Sequence, residues 1–419
     1  MKTIYIEQGT PNSCNAGTVK NPYRVPTGNA KNFDAIFKFH RGPTTFILGP
    51  GIYDTQGCWS YSGYDWAMVG PNSSIIGKAG SVDTVIRLAA DYTNDVNGVP
   101  AQYIETIIGG GGLSSGSEQM RFSGFKVDCY NARLPVIGLH AFSSGCIVND
   151  VVVNDINGVW GAMEGFGILV NDGLNSKGGG SSIINCKVTI LPGAKSYCTG
   201  IYMGSLAQLR APNAIRDCIS GATVTTGVTR AHAAFAANEN TTISNCVGNG
   251  FERFLFGDTG NIGDIDVINC RGEFGSVAID LPAPNGNGIE YRRRIRIANS
   301  SFGNTTPSAN YAALIAIQDG PAPGVTHNTV DIQDIDIDNV RVSSFFNTAG
   351  APTGQGFFTV SIGGTKVQRI WVRNSTLPVG AKTLTPGPSG ETGGTLPEWG
   401  TPQGSFFFEN LKSMAIAGA

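Results

Sequence analysis

The sequence predicts an all-β solenoid, a parallel β-helix with a short N-terminal capping helix, and three observations carry the prediction. Composition is the first: 58 Gly and 21 Pro stand against only 14% charged residues in 419. That balance disfavours long solvated helices and favours many short strands joined by turns. The second is a recurring corner, an apolar run ending in Asn or Asp and then a small residue: "IINC" at 183–186, "IRDC" at 215–218, "ISNC" at 243–246 and "VINC" at 267–270. The third is the alternation before these corners, as in "DIDVINC" from Asp264 to Cys270, which has the period of a half-buried strand.

From the N-terminus, residues 1–30 form an extension, the β-helix proper covers 31–382, and 383–419 is a Pro/Gly-rich segment with a terminal strand. "NFDAIFKF" at 32–39 places Phe33, Ile36 and Phe37 at helical spacing behind Asn32 as N-cap. A short amphipathic helix there would plug the open end of a solenoid, whose terminal repeats need a cap. Next come "TTFILGPGIYDTQG" (44–57) and "SIIGKAGSVDTVIRL" (74–88), both strand-like. "IIGGGG" at 107–112 lacks the Lys-Ser/Thr of a phosphate loop and reads as a Gly-rich loop.

Looser corners extend the series: "KVDC" ending at Cys129, "IVND" at Asp150, "IANS" at Ser300, "IDNV" at Val340 and "VRNS" at Ser375. The corner positions 128, 149, 185, 217, 245, 269, 299, 339 and 374 lie 21 to 40 residues apart. A constant local pattern at variable spacing describes coils of fixed cross-section with loops of different size. Asn readily accepts left-handed backbone geometry, which suits a sharp corner. The residue after it begins the next strand facing inward, so Cys186, Cys218, Cys246 and Cys270 become buried small side chains that need no disulfides. The nine Cys are an odd number and no C-x-x-C occurs; whether Cys14 and Cys58 pair is left open.

Aligning coils on Asn269, Asn299, Asn339 and Asn374 puts Ile265/Val267, Ile295/Ile297, Ile335/Ile337 and Ile370/Val372 in one apolar column. The intervening positions read Asp264, Arg294, Asp334, Arg369 and Asp266, Arg296, Asp336, Trp371. With strands about 4.8 Å apart, opposite charges become neighbours. This is an external salt-bridge ladder, with a carbohydrate-binding face as the other reading. A second strand family precedes each corner, with inward pairs Ile168/Val170, Ile201/Met203, Phe235/Ala237, Phe254/Phe256 and Ile279/Leu281, and the coil has room for a third. Beyond Leu384, "SFFFENL" is a last strand or an oligomer contact.

"PGIY" after a strand, the "IIGKAG…TVI" that follows and the Asn-Cys corners resemble the pectin-lyase-like superfamily of right-handed parallel β-helices over about residues 30–380. That group includes polysaccharide lyases, hydrolases, epimerases, phage tailspikes and non-catalytic adhesins, so the resemblance implies fold more than activity. It implies a polysaccharide partner and a groove on the outer face of one sheet.

On the second strand family the outward row is expected to be Asn171, Gly204, Asn238, Gly257, Asp280, Gln318 and Gly363, with Asp172, Glu239, Asp258 and Asp319 one position on. Glycoside hydrolysis needs two carboxyls about 5 to 9.5 Å apart, a spacing that acids on adjacent coils approach. Glu239, Asp258 and Asp280 are therefore the expected catalytic acids, with His232 and Arg253 placed to neutralise an acidic sugar. Tyr202, Asn171, Asn238 and Gln318 are the expected substrate contacts. The same acids could hold Ca²⁺, which the resemblance to pectate lyases also implies; they equally read as plain turn residues. "RAPNAIR" at 210–216 resembles the Arg-x-Pro-x-x-Arg of pectate lyases with one residue more, and the Asn-Thr-Asp, Asp-Asp and Gly-His-Gly motifs of polygalacturonases are missing.

The formal net charge of −2 gives no case for nucleic acid, and no apolar run approaches a membrane span. "MKTIYIEQGT" lacks the apolar core of a signal peptide. The expectation is an extracellular or phage-borne polysaccharide-binding protein of hydrolase or lyase type. The alternative is a non-catalytic adhesin or tailspike-like β-helix, such as a homotrimer.

Overall fold

In the computed structural model the chain forms two compact units, residues 1–231 and 232–419. The structure describes residues 1–11, 16–58, 68–90, 106–111, 117–132, 135–157, 165–172, 178–191, 198–205, 211–224, 231–257, 262–281, 290–304, 312–318, 330–345, 355–361, 366–378, 382–386 and 406–414. Within each unit the strands run parallel and wind into three sheets. Among the described residues no helix is long and apolar enough to cross a membrane.

The second unit shows how one coil is made. Its first sheet contains the strands Glu239–Ser244, Ile262–Ile268, Glu290–Ala298, Val330–Asp338, Lys366–Arg373 and Phe406–Glu409. Ile265, Ile295, Ile335 and Ile370 are direct partners in successive coils, as are Val267, Ile297, Ile337 and Val372. Each is at most 1% exposed. β-Branched side chains at every second position fill the pleated inner face, and the strand ends where Asn takes φ of +51° to +55° at positions 245, 269, 299, 339 and 374.

At that corner the main chain stays bonded between coils. Asn269 N–H donates to Ala298 O at 3.1 Å, and Asn339 N–H to Arg373 O at 3.1 Å. The side-chain amides form their own ladder, with Asn339 Nδ2 donating to Asn299 Oδ1 at 2.8 Å and Asn410 Nδ2 to Asn374 Oδ1 at 3.1 Å. "SFFFENL" is thus a further coil with its own corner at Asn410, φ +50°. Past the corner, Cys270, Ser300, Val340 and Ser375 are buried. The Cys270 S–H, Ser300 O–H and Ser375 O–H donate back to the carbonyl two residues earlier, at 3.3, 2.8 and 2.8 Å. The hydrogen bond with Cys246 and burial push the Cys270 thiol well up, so it stays protonated.

The second sheet follows, for example Ser301–Asn304 and Arg341–Phe345. The third contains Ala231–Ala237, Ala312–Gln318 and Gln355–Ser361. The long strands Val247–Gly257 and Arg271–Leu281 bend from the second sheet into the third.

The charge ladder is present with an unexpected backbone. Asn240, Asp264, Arg294, Asp334 and Arg369 all have φ between +45° and +58°, so each marks a left-handed bend inside the first-sheet strand. Arg294 forks onto Asp264, and Arg369 onto Asp334 at 2.5 and 3.0 Å. Asp266, Arg296 and Asp336 are neighbours in register as expected, but Asp336 pairs with Arg373 at 2.8 Å. Exposed pairs of this kind contribute little individually.

In the first unit Asn185 and Asp217 turn corners at φ +51° and +55°, and Cys186 and Cys218 behind them are buried and donate S–H to main-chain carbonyls. Two expected corners are displaced. The coil ascribed to Asp128 turns at Gly124 (φ +71°), and the one ascribed to Asn149 turns at Asp150 (φ +52°). At Gly124 a Cβ would come within 2.6 Å of Gly77 O, so the close approach of two coils selects glycine there. The described part of "IIGGGG", residues 107–111, belongs to a buried strand, Thr106–Gly111, of the third sheet rather than a loop. A Cβ on Gly110 would strike Met120, Val69 and Phe122, so the glycine gives the core room.

Residues Lys2–Gln8 pair in parallel with Thr44–Leu48, and the helix Ala30–Phe39 lies between them in sequence. Its N-cap is Asn29, not Asn32: the Asn29 side chain accepts from Asn32 N–H at 3.1 Å, since a cap oxygen reaches the amide three residues on. Phe33 and Phe37 pack on Tyr53 and Phe46 at 5.3 and 4.8 Å and so cover the first coil's core. Buried Asp34 fixes the helix by accepting from Thr55 Oγ1 at 2.7 Å, Gln56 N at 2.8 Å and Gln56 Nε2 at 3.0 Å. Burial outweighs these bonds and raises its pKa to about 6.

Two outcomes are expected. Ordinary residues lose roughly 1–2 kcal/mol in left-handed geometry, so Asn339→Ala will lower the urea midpoint clearly more than Asn339→Gly; equal effects would contradict the corner account. The folded-state pKa of Asp34 lies above its unfolded value, so the folded chain holds the extra proton between about pH 4 and 6. Stability of the first unit will therefore fall, on the order of 3 kcal/mol, as pH rises through that window. Thermal melts of Asp34→Asn should lose that slope.

Candidate functional site

The third sheet of the second unit gathers three of the expected residues on its outer face. Arg253 and Asp280 form an ion pair through Arg253 Nε and Asp280 Oδ2, with Asp280 only 2% exposed at its side chain. Phe256 is the register partner of Asp280. Its ring takes the Arg253 guanidinium at 5.6 Å from the centroid and the His232 imidazole edge-on at 4.4 Å. Both distances suit cation–π and aromatic contact. His232 is half-buried, and burial together with the neighbouring Arg253 charge pushes its pKa down to about 3.

Phe256 is the residue that the alternation assigned to the wrong side. The alternation pairs it with Phe254 as inward, yet Phe254 packs in the core against Phe235 and Phe302 at 5.1 and 5.0 Å while Phe256 lies outside. The cause is a register shift between Phe251 and Arg253, where the strand bends between sheets. The expected outward row is displaced by the same irregularity. Asp280 stands beside Phe256 and Ala316, not beside Gly257 and Gln318. Gln318 lies on the same sheet, paired with Ser361. An aromatic three residues after Arg253 was the available signal.

Glu239 begins a first-sheet strand, opposite Gly263, so it lies across the turn from the third sheet, with Asn238 half-buried between them. Asp258 lies outside the described residues, and so does the expected Glu239–Asp258 pairing. In the first unit, Asn171 pairs with Gly204, and a Cβ there would meet Asn171 Oδ1 at 2.1 Å. Tyr202 stacks on Phe166 at 5.6 Å and 23°. These form a small aromatic and amide patch on that unit's third sheet.

Chemically, the second-unit cluster offers a neutral imidazole, an aromatic face and a guanidinium with N–H groups to spare. The Asp280 carboxylate is held in an ion pair by Arg253. The pair also withdraws Arg253 from the simple role of a bare cation for an acidic sugar, and His232 is uncharged at neutral pH. Asp280, held by Arg253, fits Ca²⁺ poorly for the same reason. Among the described residues no three His, Cys, Asp or Glu side chains stand together as a metal site.

No protein-family model and no curated protein sequence matches the chain. Solved structures match it in fold. The A-module of the Azotobacter vinelandii mannuronan C-5 epimerase AlgE6 superposes with a TM-score of 0.52 at 11% identity, over 92% of this chain and 95% of that one. A double mutant of the tailspike protein of E. coli bacteriophage HK620 gives 0.52 at 12% identity, over 86% of this chain and 70% of that one. Another mutant of that tailspike, in complex with a hexasaccharide, gives 0.55 at 12% identity over 94% of this chain; the match spans 63% of the tailspike chain. At such identity the likeness speaks for the fold: the chain is an all-β, right-handed parallel β-helix.

Proposed function

We propose that the chain is a polysaccharide-binding protein whose second-unit third sheet carries the sugar contact. The observation that supports this reading most is the outward cluster of His232, Arg253, Phe256 and Asp280, an aromatic face edged by fixed hydrogen-bonding groups. Such a mixture of apolar face and convergent polar groups is what a binding surface presents. The fold likeness to a mannuronan epimerase and to a tailspike solved with a hexasaccharide is in keeping with it. Binding is the activity this cluster supports, since Asp280, the one expected acid within it, is held by Arg253. A particle-borne or extracellular location follows from the same reading, and a trimer is one form it would take.

The test is a panel of acidic and neutral polysaccharides read for binding, for reducing ends and for absorbance of unsaturated uronates. Binding without new ends is expected, and Phe256→Ala should weaken it about tenfold or more, roughly 1.4 kcal/mol. No binding across the panel, or undiminished binding by Phe256→Ala, would sink the proposal. If new reducing ends do appear, the hydrolase reading returns with Glu239 and Asp258 as acids. In that case Glu239→Gln should cost roughly 10²–10⁴-fold in rate. Because His232 is neutral down to about pH 3, affinity should stay flat from about pH 5 to 8. A midpoint near the ordinary histidine range would contradict this placement.

A further inference from the structure

The first sheet of the second unit has an outward row of direct register partners: Asp266, Arg296, Asp336, Trp371 and Phe407. The alternating charges stop at Trp371, where the ladder would next place a cation. Trp371 is 37% exposed, high for so large an aromatic. Phe407 stacks on it at 4.1 Å and 14°, which covers the ring toward the following coil. On the other side lies Asp336, and between them is a depression of about 280 Å³ lined by Asp334, Ile335, Asp336, Trp371 and Arg373.

The polar rim of this depression is fixed in place. Arg373 holds both Asp336 oxygens at 2.8 and 2.9 Å, and Arg369 holds Asp334 at 2.5 and 3.0 Å. Arg369 keeps the Asp334 carboxyl below its usual range, so it remains an ionised acceptor. A carboxylate offers about four lone-pair sites and a guanidinium five N–H donors, so each pair retains capacity for further hydrogen bonds. The rim therefore presents acceptors and donors side by side next to an aromatic face.

We propose that this depression is a binding slot for one neutral pyranose ring, distinct from the third-sheet cluster and going beyond the function proposed above. The ring's C–H face would lie against the electron-rich face of Trp371, with hydroxyls donating to Asp336 or Asp334 and accepting from Arg373. Two carboxylates and one guanidinium line the slot, and Arg369 backs Asp334 from outside it. That balance offers no surplus cation for a uronate, so the slot selects neutral rings. Its volume lies just under the roughly 300 Å³ at which drug-sized pockets begin, which suits a single ring.

The experiment titrates the full chain with methyl glycosides of glucose, galactose, mannose and N-acetylglucosamine, and with glucuronic acid, by ligand-observed NMR and tryptophan fluorescence. At least one neutral glycoside should bind with a Kd on the order of millimolar, and glucuronic acid more weakly. Trp371→Ala should weaken that binding at least tenfold, and Asp336→Asn should also weaken it, which keeps the test valid if the aromatic variant folds poorly. Tyr130→Ala, at an exposed aromatic outside both proposed sites, should leave it unchanged. Absence of binding by every neutral glycoside, preference for glucuronic acid, or unaltered binding by both slot variants overturns the slot. Polysaccharide binding weakened by Phe256→Ala together with glycoside binding untouched by Trp371→Ala and Asp336→Asn would overturn the slot and leave the third-sheet proposal standing.

Discussion

The left-handed corner is the constraint on which the rest of the molecule depends. A parallel strand that must turn sharply and then pair with the next coil needs a residue at positive φ whose own polar groups are satisfied. Asn meets both demands: its backbone tolerates the geometry, and its amide can donate to one coil while accepting from another. Asn374 does both, donating to Asp338 Oδ1 and accepting from Asn410 Nδ2. Since side chains alternate faces along a strand, a corner displaced by one residue would turn the aliphatic column outward. The burial of Ile265, Ile295, Ile335 and Ile370 is thus a consequence of where the asparagines stand.

Once the corner fixes register, the outer faces are free to differ. On the first sheet of the second unit, acids and arginines pair across coils and the strands carry a second left-handed bend at Asp264, Arg294, Asp334 and Arg369. On the third sheet the outward row instead brings Phe256, His232, Arg253 and Asp280 together. The inner faces of both sheets are built alike. Chemical variety therefore resides where a substitution least disturbs packing, which is how one solenoid supports different ligands.

Much of the coil was legible because its period is local. Asn-Cys corners and alternating aliphatics are written within six or seven residues, and the columns they define are those of the structure. Where the reading failed, a local signal was overridden by a neighbour in space. Gly124 took the corner from Asp128 because two coils approach too closely for a side chain. Asp150, not Asn149, turns the next coil, since adjacent Asn and Asp offer the same chemistry. Phe256 changed faces because a register shift next to Arg253 breaks the alternation. Asn410 escaped notice since "SFFFENL" follows a long Pro/Gly-rich interval. The candidate site was less legible than the fold: its residues could be named, but not that Asp280 would be clamped by Arg253.

The functional account rests on outward groups presented by a fixed scaffold. Aromatic faces beside restrained polar groups suit a sugar, which has an apolar side and a hydroxyl edge. The most direct measurement is a crystal structure of the protein with the oligosaccharide that binds best in solution. The account predicts sugar density on the outer face of the second unit, against Phe256 and His232, with the Arg253–Asp280 pair intact. Sugar bound elsewhere with this face bare, or an Asp280 released from Arg253 and aimed at a glycosidic oxygen, would contradict it.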